Sequence, residues 1–313
     1  MLRWCLKKIM YRLPLGNKII KVLRRFALPR PFLPSDEVSF RHACDLVVGN
    51  DHVQLPINDE VGAWYTQKPL IWAHAGGARQ ILFANTKEAI DDSIRQGFNV
   101  IEVDVSVTSD GVAVLSHNFR PNNEEMFKGI PKSKRFQKTP ICGKYTPLSL
   151  SDLWEIYSGW NGYFAIDQTI SSLRPGFNLV EYMKRVAPPS FLKKVIYLAY
   201  RLDELQDLKN NSPFASVHFC LFPPPPIHFL PYLIRALAVA NVHSVSFGDM
   251  EITDDIQLIV AKFIEANIYV SVAHVNDLEK LRKWRGIGVR CINSDYLIPR
   301  DLKVEENING ATN

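Results

Sequence analysis

From Leu70 onward the sequence repeats one alternation: a short, nearly unbroken apolar run, then a longer stretch whose apolar residues recur at helical spacing. The runs are 70–73, 100–105, 112–116, 163–166, 195–200, 216–221, 242–247, 269–272 and 289–292. Side chains of a strand alternate between two faces, so a strand with one wet face reads with a period of two. Most of these runs are apolar throughout, as parallel strands covered on both faces must be. Helical stretches at 85–96, 149–158, 201–209, 229–239, 253–266 and 276–284 lie between several of them. The first has Asn85 and Glu88 at capping-box spacing and stops before Gly97. Parallel strands need such crossovers to return the chain to its starting end. About eight strand–helix units over roughly 230 residues predict a TIM (β/α)8 barrel, with an open doubly wound sheet as the alternative. The barrel is expected over residues 69–305, after an extension at 1–68 and before a tail at 306–313.

The extension has a different character. Leu2, Cys5, Leu6, Ile9, Met10 and Leu13 recur at helical spacing, Pro14 and Gly16 break the pattern, and Ile19, Val22, Leu23 and Phe26 resume it. The first 30 residues hold nine Lys and Arg and no acid, so two basic amphipathic helices are expected. Such helices can lie on an anionic membrane surface, or pack on the body or on a partner. Pro29, Pro31 and Pro34 mark a linker, and residues 35–68 show no clear periodicity and read as an irregular lead-in. The chain is +5 overall, which leaves −4 on the remainder and argues against a nucleic-acid-binding body. Five scattered cysteines without CxxC spacing argue against a disulfide framework or a zinc site and for a reducing compartment. No apolar run has the length of a membrane span, and Lys7 and Lys8 interrupt any signal-type stretch. A cytoplasmic protein is expected, with peripheral membrane contact through residues 1–30.

Four polar residues interrupt the apolar runs where barrel geometry brings side chains together. His74 closes the first run. Glu102 and Asp104, two apart in the second, share a face. Two close carboxylates repel in a buried place and need a proton or a cation. Carboxylate oxygens suit a hard divalent metal, magnesium or calcium. His117 ends the next short run after the turn Ser109-Asp110-Gly111, and Asp167 ends a later one as a third oxygen ligand.

This ordered set resembles the glycerophosphodiester phosphodiesterase family, in the wider group that includes phosphatidylinositol-specific phospholipases C. The resemblance runs from about Ile71 to Pro299. Its core is His74-Ala-Gly76, Asn85-Thr86, Glu88-Ala89, Gly97, Ile101-Glu102-Val-Asp104-Val105, Thr108-Ser-Asp110-Gly111 and Ser116-His117. Fainter echoes are Thr146-Pro-Leu-Ser-Leu, Val275-Asn276-Asp277 and Asn293-Ser-Asp295-Tyr296. The resemblance implies a metal-dependent hydrolase of phosphodiesters, with His74 and His117 as acid–base pair and Glu102, Asp104 and Asp167 holding the cation. The substrate would be a glycerophosphodiester or a phosphate-linked glycan.

The chain also departs from that pattern. Ala75 stands where the family has a phosphate-binding Arg, and Asn118 where it has Asp. Asp167 and Thr169 replace Glu and Lys, and Ala273-His274 replaces Trp-Thr. The His-Ala-Gly-Gly form looks like a divergent branch. Arg79 or Arg201 could supply the missing positive charge. The competing readings are a non-catalytic barrel scaffold and a phospholipase acting at a membrane surface.

Overall fold

The computed structural model describes residues 33–302, without 34–35, 52–54, 56–62, 67–69, 78–83, 120–126, 128, 169–176 and 210–211. The expected basic helices at 1–30, most of the proline linker and the 306–313 tail lie outside the described residues. Each apolar run is a strand: β1 (Ile71–Ala73), β2 (Val100–Val107), β3 (Ala113–Leu115), β4 (Tyr163–Gln168), β5 (Val195–Ala199), β6 (Ser216–Leu221), β7 (Ser244–Gly248), β8 (Tyr269–Ala273) and β9 (Cys291–Ser294). The pairing order runs β1-β9-β8-β7-β6-β5-β4-β2, and β1 pairs again with β2. Eight parallel strands therefore close into the expected barrel. No helix among the described residues is long and apolar enough to cross a membrane.

The strand alternation sorts residues into two environments. Ile101, Val103 and Val105 of β2 point outward into one large core with Phe164, Ile166, Val195, Phe219 and Phe247. Trp72, Val100, Ala165, Ile196, Cys220 and Cys291 point inward, with Trp64 and Tyr65 packed against them. Glu102 and Asp104 share the inward parity of Val100, so they stand inside the barrel rather than among the helices. The interior is partly polar. His218 is fully buried between Ser244 Oγ (2.7 Å) and Ser271 Oγ (3.3 Å), with the Trp72 ring 4.9 Å away.

Three readings of the sequence need correction. Residues 37–48 form a helix, α1 (Glu37–Val48), not an irregular stretch. Asp36 caps it by accepting from Ser39 N at 2.8 Å, and Phe40, Cys44, Val47 and Val48 form its buried stripe. Val38 and Leu46 blur that period because they are apolar but 80% and 50% exposed. α1 packs on two barrel helices that were expected, those at Leu202–Leu208 and Leu230–Val239, with Phe40 stacked on Phe229 at 4.5 Å. Second, β3 is no barrel strand: it runs antiparallel to β2 along Val105–Val107. The short β1 pairs only Val100 and Ile101 of β2, which leaves the far end of that edge open for β3. Third, the helix expected at 85–96 is Lys87–Arg95, capped by Thr86, whose Oγ accepts from Ala89 N. Glu88 does not close a capping box; its carboxylate accepts from Thr146 N and Oγ at 2.9 and 2.7 Å.

Phe40→Ala should cost about 3–5 kcal/mol, because a fully buried ring leaves a cavity between α1 and the barrel. Urea denaturation of the two proteins measures this. The buried His218 generates a second expectation. Burial pushes its pKa down to about 3, so it stays neutral in the folded chain while an unfolded histidine charges near 6.5. Its contribution to stability is present above pH 6.5 and is lost as pH falls toward 3. His218→Gln should flatten this part of the stability curve, as read from melting temperatures across that pH window.

Candidate active site

The site forms where β1, β2 and β4 end. Glu102 and Asp104 are 2% and 3% exposed, and Asp104 is the register partner of Asp167 on the neighbouring strand. One ligand oxygen from each of Glu102, Asp104 and Asp167 lies within 4.8 Å of the others. Each carboxylate is held by one oxygen. Glu102 Oε2 accepts from Ala75 N at 2.6 Å, Asp104 Oδ2 from Asn85 Nδ2 at 2.8 Å, and Asp167 Oδ2 from the Tyr200 hydroxyl at 2.7 Å. Glu102 Oε1 is buried and has no hydrogen-bond partner among the described residues. Buried groups left in this state are costly unless something else satisfies them. Three converging carboxylates with an orphaned oxygen fit a divalent cation.

The electrostatics agree with that fit. Burial, and then the charge of Asp104, hold the Glu102 carboxyl well above the usual carboxylate range. Burial and Asp104 also push Asp167 up to about 7, against the lowering pull of the Tyr200 hydroxyl and His74. The backbone is shaped for the same cluster. Ala75 (φ 48°), Gly76 (φ 84°) and Gly77 (φ 88°) make a left-handed turn after β1 that aims Ala75 N at Glu102. A Cβ at Gly77 would sit 1.9 Å from Ser93 Oγ, so only glycine fits there. Asn85 (φ 60°) holds Asp104 at both ends: its Oδ1 accepts from Asp104 N at 2.9 Å.

His74 stands at the head of this turn. Its Nδ1 donates to Asp295 Oδ1 at 2.6 Å, and its Nε2 lies 3.9 Å from Glu102 Oε2. Burial alone would lower its pKa, but the bond to Asp295 and the charge of Glu102 outweigh burial and raise it to about 9. The same bond takes Asp295 down to about 2. Asn276 fixes Asp295 from behind, donating Nδ2 to Oδ2 at 3.0 Å and accepting from Asp295 N at 2.9 Å. The His274 ring stacks on His74, with centroids 4.0 Å apart. A cleft joins His74, Glu102, Asp167 and His274 to an aromatic wall that includes Tyr200 and Phe222.

The other residues singled out in the sequence sit differently. His117 is exposed, two residues beyond β3, and its Nδ1 accepts from Asn118 Nδ2 at 3.1 Å. Ser116 N donates to Asp104 O at 2.9 Å, which ties the chain beside His117 to the cluster's strand. Arg201 is exposed, and its guanidinium is committed to Asp203 through Nε at 2.8 Å and through Nη2. Arg79 and Thr169 lie outside the described residues. Sequence reasoning gave no role to Asn85 at Asp104, to Tyr200, or to the Asn276–Asp295 support of His74. For the last pair the signal was present, since both lie in the fainter late echoes.

Comparison with known proteins adds to this geometry. Residues 74–137 match the glycerophosphoryl diester phosphodiesterase family. The glycerophosphodiester phosphodiesterase GDPD4 of Arabidopsis thaliana is 46% identical over 55 residues, which span 18% of this chain and 16% of that relative. The fold matches a phosphodiesterase from Oleispira antarctica solved in complex with the product sn-glycerol-3-phosphate, with a TM-score of 0.60 and 17% identity over 78% of this chain and 99% of that one. A glycerophosphodiester phosphodiesterase from Thermotoga maritima gives a TM-score of 0.55 and 17% identity over 73% of this chain and 95% of that one. The matched segment carries His74, Glu102, Asp104 and His117, and the barrel fold is the one these phosphodiesterase structures share.

Proposed function

We propose that the chain hydrolyses a phosphodiester, a glycerophosphodiester or a phosphate-linked glycan, to a phosphomonoester and an alcohol. The observation that carries this reading is His74 Nε2 standing beside the buried carboxylate cluster while Nδ1 is fixed by Asp295. Glu102, Asp104 and Asp167 would hold a divalent cation, magnesium or calcium. When bound, that cation supplies an electrophile that offsets the charge developing on the phosphoryl oxygens. The carboxylate of Asp295 can only accept, so the proton on Nδ1 belongs to that bond and Nε2 is the atom of His74 that exchanges a proton. His117 is the second member of the pair. One histidine takes the proton from the attacking water or hydroxyl and the other gives one to the leaving alkoxide. The tie from Ser116 to Asp104 supports a place for His117 near the mouth. Peripheral membrane contact through residues 1–30 belongs to the same proposal and rests on their sequence pattern alone.

Two outcomes are expected. Magnesium or calcium should raise the melting temperature, a chelator should reverse this, and Glu102→Gln should abolish the response. At a cation concentration about 100-fold above Kd the gain is about 2.7 kcal/mol. The pH dependence has a definite sign. With its pKa raised from 3.8 to about 7, Asp167 gives the cation-free fold a contribution that is present below pH 3.8 and lost as pH rises through about 7. Cation affinity should therefore climb as pH rises through that range and level off above it. A melting-temperature shift that is the same at pH 5 and pH 8 would contradict the assignment.

The second outcome concerns rate. His74→Ala and His117→Asn should each slow hydrolysis of a glycerophosphodiester by roughly 10²–10⁴-fold. The double variant should be little slower than either single one, because the two act as a unit. Steady-state kinetics of the four proteins tests this. If His117→Asn keeps most of the turnover, the two-histidine mechanism fails.

A further inference from the structure

A phosphodiester brings negative charge to a site that already holds three carboxylates, so it needs hydrogen-bond donors as well as a cation. None of the described residues that line the cleft is Arg or Lys. Position 75 is Ala, and its backbone N–H is committed to Glu102. The guanidinium of Arg201 is committed to Asp203. The Tyr200 hydroxyl donates to Asp167, and His74 Nδ1 donates to Asp295.

His274 is placed differently. It follows β8, and β8 and β1 both pair with β9, through Ala273–Asn293 and Ala73–Ser294. Residues 74 and 274 therefore leave the barrel at nearly the same level. The His274 ring lines the cleft and stacks on His74 at 4.0 Å with a 36° tilt. Among the described residues no hydrogen-bond partner meets either of its nitrogens. A partly exposed imidazole beside the reacting centre, with neither nitrogen engaged among the described residues, has an N–H to offer.

We propose that His274 contacts the substrate, its imidazole N–H donating to a nonbridging phosphoryl oxygen held at the carboxylate cluster. This rests on the phosphodiesterase reading above and assigns the oxyanion contact that reading leaves open. Charge repulsion suits the division of labour. Two rings stacked this closely resist being charged together, and the carboxylate of Asp295 favours the charge on His74. Burial and the charge of His74 lower the pKa of His274, leaving a neutral ring with one N–H to give. The stack on its own would suit a different role, in which His274 only braces His74.

The test uses the full chain with saturating magnesium and two probes, sn-glycerol 3-phosphate and inorganic phosphate, titrated calorimetrically. His274→Ala and His274→Phe should both weaken binding by ~10-fold or more, because the first removes ring and donor and the second keeps the ring alone. His274→Gln, which keeps an N–H, should stay within about threefold of the wild type. All three should retain the magnesium-induced rise in melting temperature, since none touches the carboxylates. If His274→Phe binds the probes as the wild type does, the ring acts by stacking and the proposal is overturned. Unchanged binding by His274→Ala overturns it as well, and leaves the phosphodiesterase reading standing. A wild-type chain that binds neither probe in the presence of magnesium overturns both.

Discussion

Three carboxylates on adjacent barrel strands repel one another at the mouth of this fold, and the surrounding structure holds them in spite of it. Repulsion between like charges in a buried place favours moving apart or taking up protons. Escape by movement is closed here. Asp104 is gripped at its backbone and its carboxylate by the same Asn85, Glu102 by the backbone of the turn after β1, and Asp167 by Tyr200. The left-handed residues at 75–77 and at 85 exist in service of those bonds, since their backbone conformations are uncommon outside glycine. The site is thus preorganised for positive charge before any arrives.

Much of this was legible in the sequence, and the reasons differ by element. The parallel strands announced themselves because a strand buried on both faces cannot disguise its composition. Glu102 and Asp104 were legible for the complementary reason: two acids in such a run have no innocuous place to point. α1 was missed because Val38 and Leu46 put apolar side chains on its wet face, which cancels the contrast on which periodicity depends. Asn85 was read as a helix-capping residue, a role that its neighbour Thr86 fills. Asp295 and Asn276 illustrate a deeper limit. Asp295, held from behind by Asn276, meets His74 across 221 residues of chain only through the closure of the barrel, and nothing in local pattern encodes such a meeting.

The barrel interior mixes apolar and polar side chains. The Trp72 ring lies 4.9 Å from that of His218, which two serine hydroxyls hold, and both residues line the same cleft as Leu198, Cys220, Glu102 and Asp167. His218 is neutral and satisfied, whereas His74 is poised to be charged, although both are imidazoles largely removed from water. The difference lies in their neighbours. Hydroxyl groups offer His218 no charge to set against burial, and the carboxylates around His74 do. Residue type alone assigns neither role.

The pairing of β2 directly with β4 carries a consequence for how such a site can diversify. Between those two strands the chain leaves the barrel, folds β3 back along β2, and passes His117 before it returns. The clustered carboxylates belong to the closed ladder, where a shift of one residue would turn them outward. His117 belongs to an excursion whose length the ladder does not constrain. The site is therefore built in two unequal parts: a frame that tolerates almost no editing, and an appended arm that can be lengthened, shortened or recomposed to suit a different ligand without disturbing the frame.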